Sequence, residues 1–135
     1  MTESSQSPGT PHREISVEIS DGMVHLYKEL FGRGPERART HFAGPDMLIC
    51  SLEKSFTPAE RSMAEMGEHQ RLRETRLFFQ HARENDFRAT VQRITGRRVR
   101  GFLSGTDTYE DLSCEVFYLE PVAGAATGAA DVVEE

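Results

Sequence analysis

Residues 57–96 constrain this chain more than any other stretch, because after Pro58 they contain no proline and read as helix throughout. The segment opens on Thr57-Pro58-Ala59-Glu60. There a threonine oxygen can cap the amide three residues on, proline takes the first helical position, and glutamate can reach back to the cap. It closes at Gly96, suited to a left-handed C-terminal cap. Gly67 interrupts it, since glycine costs about 1 kcal/mol relative to alanine inside a helix. The expectation is a short helix over 58–66 and a longer one over 68–95.

On the longer helix, Leu72, Phe79, Phe87, Val91 and Ile94 fall within one broad apolar stripe, flanked by Phe78 and Ala82. Arg76 and Arg83, seven residues apart, lie near its centre. Two readings stay open for them. Their long stems can lie along the apolar face while the guanidinium groups reach a carboxylate or the sheet edge. Alternatively they line a shallow anion pocket with Arg37 or Arg39.

Two strand-like segments precede this region and two follow it. Residues 37–42 and 47–56, joined around Gly44-Pro45-Asp46, read as a hairpin; Leu48, Cys50 and Leu52 give the second strand one apolar face. Residues 97–104, with Val99 and Leu103 alternating with charged or small residues, and 111–119 form a second hairpin around the loop 105–110. In the last strand Leu112, Cys114, Val116 and Tyr118 share one face and Glu115, Phe117 and Leu119 the other, which predicts a central strand or one covered on both sides.

Ahead of both hairpins, Ile15, Ile19, Met23, Leu26 and Leu30 recur at helical spacing over 15–31. Val24, Tyr27 and Phe31 widen that face, so this helix should be covered on more than one side, by a second subunit among the options. The Gly32-Arg33-Gly34-Pro35 turn can offer backbone amides and a guanidinium to an anion, or serve only as a cap before a charged edge strand. It lacks the Lys-Ser/Thr ending of a phosphate-binding loop.

Of the 135 residues, 1–13 and 122–135 read as disordered tails, the second acidic and rich in alanine and glycine. That leaves one domain, 14–121. The formal net charge is −6, and acids interleave with the arginines, which argues against a nucleic-acid surface. Cys50 and Cys114 lack the spacing of a metal or redox motif and read as reduced core residues. The five histidines form no i, i+4 pair, so no metal site is expected. Asp107, Glu110 and Asp111 read as loop acids without a calcium-loop pattern. No serine sits in a nucleophile elbow, and no catalytic residue or cofactor site is nominated. No apolar run is long enough to insert in a membrane, and the N-terminus has no signal-like apolar core, so a cytoplasmic location is expected.

Several segments taken together resemble the MpsC-like family, small bacterial domains of unknown function. They are Leu26-Tyr27-Lys28-Glu29-Leu30-Phe31-Gly32-Arg33-Gly34-Pro35, Arg37-Ala38-Arg39-Thr40, Thr57-Pro58-Ala59-Glu60, Ile94-Thr95-Gly96-Arg97-Arg98-Val99 and the terminal Glu115-Val116-Phe117-Tyr118-Leu119-Glu120-Pro121. The family name derives from one component of a bacterial membrane-potential-generating system, whose other components are associated with cation and inorganic-carbon uptake. The resemblance implies an accessory role beside a transporter subunit. It brings no catalytic motif with it.

These readings converge on an α+β fold: a helix, a hairpin, a helical pair and a second hairpin, completing a largely antiparallel four-stranded sheet. With helices on one face, the other face or the first helix needs cover, which predicts a homodimer. The leading functional expectation is a non-enzymatic accessory or regulatory interaction domain. The alternative is a small-anion or nucleotide sensor using Arg33, Arg37, Arg39, Arg76 and Arg83.

Overall fold

The computed structural model describes residues 10–122. Its elements follow the order α1 (Thr10–Phe31), β1 (Arg37–Phe42), β2 (Met47–Glu53), α2 (Pro58–Glu65), α3 (His69–Ala82), α4 (Glu84–Thr95), β3 (Val99–Asp107) and β4 (Leu112–Leu119). The strands form one antiparallel sheet in the order β1-β2-β4-β3. The α+β expectation therefore holds, with β4 central as its two apolar faces predicted. The tails expected over 1–13 and 122–135 fall largely outside the described residues. Where the first enters them it needs correction, because α1 already runs from Thr10.

The helices pack on one sheet face. Leu48, Cys50 and Leu52 of β2 and Phe117 and Leu119 of β4 are fully buried against Ile19, Met23 and Tyr27 of α1 and Phe87 and Val91 of α4. Strand alternation does this work, since every second residue of β2 and β4 enters the core. At the first turn of α2, Glu60 N donates to Thr57 Oγ1 at 3.2 Å and Thr57 N to Glu60 Oε1 at 2.8 Å, completing the predicted capping box. The division between α2 and α3 falls at Gly67, whose φ of +84° suits a residue without Cβ. Gly96 caps α4 in the left-handed conformation.

Two expectations need correction. The helix predicted over 68–95 is broken at Arg83, with φ −108° and ψ 19°. The Arg83 amide is shared between the Phe79 and Gln80 carbonyls, while its own carbonyl accepts from Asp86 N and Phe87 N. Glu84 and Asp86 then stand in the first turn of α4, where the helix dipole favours acids. The break lets α3 lie on β3 while α4 crosses α1. In β3, Val99 is buried but Leu103 is 57% exposed. A register shift between Val99 and Gly101 inserts one residue, so Phe102 replaces position 101 on the inner face.

Candidate functional site

On α3 the residues that enter the interior are Leu72, Arg76 and Gln80, spaced four apart. Phe78 and Phe79, which hydropathy assigned inward or to its margin, are 67% and 42% exposed. The inward stripe thus carries two polar side chains, and each organises a buried polar group.

Arg76 is 0% exposed. Its Nε donates to Glu60 Oε2 at 2.8 Å and its Nη2 to Glu60 Oε1 at 2.7 Å, a bidentate pair. The same guanidinium donates to Ser55 Oγ at 3.1 Å and Ser55 O at 2.9 Å. It stacks at 3.6 Å from the ring centre of Phe31, with the Phe56 ring at 5.0 Å and the Tyr27 ring at 5.8 Å. Burial pushes the Glu60 carboxyl upward, but hydrogen bonds from Arg76 and Thr57, with the Arg76 charge, outweigh it and hold the group below its usual range.

The segment beside this pair is gripped from several sides. Asp111 accepts from Ser55 N at 3.0 Å and Phe56 N at 3.1 Å. Arg33 donates to Lys54 O at 2.9 Å and Phe56 O at 2.7 Å, and Arg61 to Phe56 O at 2.9 Å. Arg33 and Arg76 therefore meet at one loop, each holding backbone carbonyls that no strand satisfies.

The second group surrounds Glu115, which lies on the inner face of β4 and is 0% exposed. Its Oε2 accepts from Tyr27 OH at 2.6 Å and Gln80 Nε2 at 2.8 Å. Glu115 Oε1, Gln80 Oε1 and Ser104 Oγ are buried without a hydrogen-bond partner among the described residues. Burial pushes the Glu115 carboxyl up to about 7, against the opposing influence of Tyr27, Ser104 and Gln80 and of the Arg76 charge. Burial, and then the Glu115 carboxylate, also hold the Tyr27 hydroxyl well above its ordinary value. A proton on Oε1 converts one orphaned acceptor into a donor. Ser104 stands opposite Glu115 in the β3–β4 register.

The remaining arginines lie elsewhere. Arg83, at the α3–α4 junction, pairs with Asp86 and Glu29 on the surface. Arg37 and Arg39 are exposed on the edge strand β1 and make no ion pair among the described residues. Arg39 also lines an open groove of about 600 Å³ between α1 and β1, together with Arg13, Ser20 and Asp21. The five arginines thus divide between the 54–56 loop, the helix junction and the β1 edge.

The outer sheet face is not covered by any described element. Met47, Ile49, Val116 and Tyr118 are half-buried there, Leu103 is exposed, and Tyr118 lies against Gly101 at 3.5 Å from where a Cβ would stand. The two cysteines separate across the sheet: Cys50 is buried on the inner face, where burial pushes its thiol up to about 12, and Cys114 is half-buried on the outer face. The core placement expected for both holds for Cys50 alone. Among the described residues no three His, Cys, Asp or Glu side chains could hold a metal ion together, and no helix is long and apolar enough to cross a membrane.

Fold and side chains together define a small α+β domain with a paired polar interior and an outer sheet face that mixes a central apolar strip with charged residues. A family model described as the Na+-translocating membrane potential-generating system (MpsC) matches residues 12–121. The chain belongs to the MpsC family, as the resemblance in its sequence implied. Neither the curated proteins nor the solved structures offer a match.

Proposed function

We propose that this protein is a non-enzymatic accessory domain that works by docking, as part of or beside a membrane potential-generating system of the kind its family is described by. The observation that carries the reading is how its side chains are committed. Arg33, Arg76, Glu60, Asp111 and Glu115 are engaged with other parts of the same fold. Apolar surface on the outer sheet face, and at Phe78 on α3, is left open. Such surface is what a protein-docking domain offers. Affinity capture of the full chain from solubilised native membranes tests this. The expected outcome is recovery of an integral-membrane component of that system, and recovery of the chain alone overturns the reading.

A second reading, a small-anion or nucleotide sensor, is favoured by one feature, the convergence of Arg13 and Arg39 on the α1–β1 groove. A thermal-shift series with bicarbonate, phosphate and nucleotides tests it. A bound anion at 100 times its dissociation constant adds about 2.7 kcal/mol of stability, an increment that Arg39→Ala should abolish. An unshifted transition with every anion removes this reading.

A further inference from the structure

The rows of residues across the outer sheet face carry a pattern that selects one occupant. The register aligns Arg37, Glu53, Leu112 and Asp107 in one row, from the β1 edge to the β3 edge. The row therefore begins with a cation that makes no ion pair among the described residues and ends with an anion. Asp107 uses its Oδ1 to accept from Tyr109 N and Glu110 N, while no bond engages its Oδ2 among the described residues. Two rows further on, Ile49 and Val116 occupy the central strands. One row beyond them stand Met47 and Tyr118.

From this arrangement we infer that the outer face is a self-association surface, on which a second copy of the chain packs sheet to sheet about a two-fold axis parallel to the strands, between β2 and β4. The assignment rests on the docking-domain reading and names the occupant of one of its surfaces. A rotation about that axis exchanges the two edges while keeping each row level with itself. Arg37 then meets Asp107 of the partner subunit, and the reciprocal pair forms at the other edge. Ile49 faces Val116 of the partner subunit, and Met47 faces Tyr118 of the partner subunit. Aligned sheets pack about 10 Å apart with their inner side chains interdigitated, which suits this apolar centre. With strands about 4.8 Å apart and about 3.3 Å of rise per residue, the face measures roughly 19 by 25 Å. Counted on both copies, that is near the ~1,000 Å² at which specific contacts begin, so the dimer is a dissociable one.

Sedimentation of the full chain from 1 to 200 μM tests the proposal, with circular dichroism confirming that each variant is folded. The expected result for the wild type is a concentration-dependent monomer–dimer equilibrium. Val116→Arg should leave a folded monomer. Arg37→Asp and Asp107→Arg should each weaken self-association at least about tenfold by setting like charges opposite one another. An equimolar mixture of these two variants should recover the dimer, because each supplies the charge the other lacks.

A wild-type monomer throughout that range overturns the inference, as does a dimer indifferent to Val116→Arg. A mixture that stays monomeric while Val116→Arg abolishes the dimer overturns the two-fold arrangement. Membrane capture separates this from the broader reading. If the wild type is monomeric yet captures a membrane component that Val116→Arg loses, docking stands and the second-copy assignment falls.

Discussion

At the scale of single residues, Arg76 shows how a polar side chain comes to sit in an apolar stripe. Its charge is neutralised by Glu60 through two hydrogen bonds, two more of its donors are used by Ser55, and its faces are covered by aromatic rings. Removing one partner of a buried pair strands the other, so Arg76→Met should cost about 3–5 kcal/mol in urea unfolding. Adding Glu60→Gln, which keeps the capping-box reach without the charge, should recover much of that loss. A single variant within about 1 kcal/mol of wild type shows the pair to be dispensable. Glu115 makes the opposite case. Its carboxyl titrates near 7 in the fold against an ordinary value of 4.5, so between those values the folded chain keeps a proton that the unfolded chain has released. Stability should therefore fall as pH rises from about 4.5 to about 7, by about 3 kcal/mol in all, and then level off. Glu60, held low, acts in the reverse sense and only as pH falls through its depressed value. Glu115→Gln should flatten the slope between pH 5 and 7, and an unchanged slope assigns it to another group. Hydropathy located Glu115 on the Phe117 side of its strand but does not register burial of a polar group. The four-residue spacing of Leu72, Arg76 and Gln80 is the one sequence signal that points to Gln80.

At the scale of elements, what depends on local chemistry was legible and what depends on distant contacts was not. The Thr57–Glu60 box, the Gly67 interruption and the Gly96 cap are written in adjacent residues and form as read. The break at Arg83 has no glycine or proline to announce it. It follows from α3 and α4 packing against different neighbours, and from acids at 84 and 86 that suit a new helix start. Nor does alternation foresee the inserted residue in β3, which turns Leu103 outward and Phe102 inward. The α1–α4 crossing was equally hidden. A Cβ on Gly22 would stand 2.7 Å from Thr90 Cγ2, closer than carbon atoms pack. Gly22→Ala should thus lose roughly 1–2 kcal/mol despite alanine's helix propensity, because overpacking outweighs it. In a Thr90→Ala background the same change should become neutral or stabilising by up to ~1 kcal/mol. Unfolding midpoints of the four chains decide it, and a loss that persists without Thr90 moves the cause elsewhere.

At the scale of the whole molecule, the sheet has helices on one side only. Sequence alone reached that far, since two hairpins flanking a helical pair leave one face without an element to cover it. It could not say which face stays open or how charges distribute across it, because row membership across the sheet needs the β2–β4 register, which joins strands far apart in the chain, as well as the registers within the two hairpins. Those registers place Arg37 and Asp107 at opposite ends of one row, and they give the molecule a thermodynamic signature. If folding is completed by a second copy on the open face, mass action makes stability depend on concentration. A hundredfold increase in chain concentration stabilises a fully dimeric protein by about 2.7 kcal/mol, or roughly half that per chain, so for a domain of this size and a dimer that dissociates within the range the unfolding midpoint rises by at most roughly 5 °C. Calorimetry at 2 and 200 μM should show that rise for the wild type and none for Val116→Arg. Since Val116 is half-buried on the outer face and outside the core cluster, the variant should keep its monomeric stability at the lower concentration. A wild-type midpoint independent of concentration would mean that the single helical layer is sufficient and that the open face waits for a different protein.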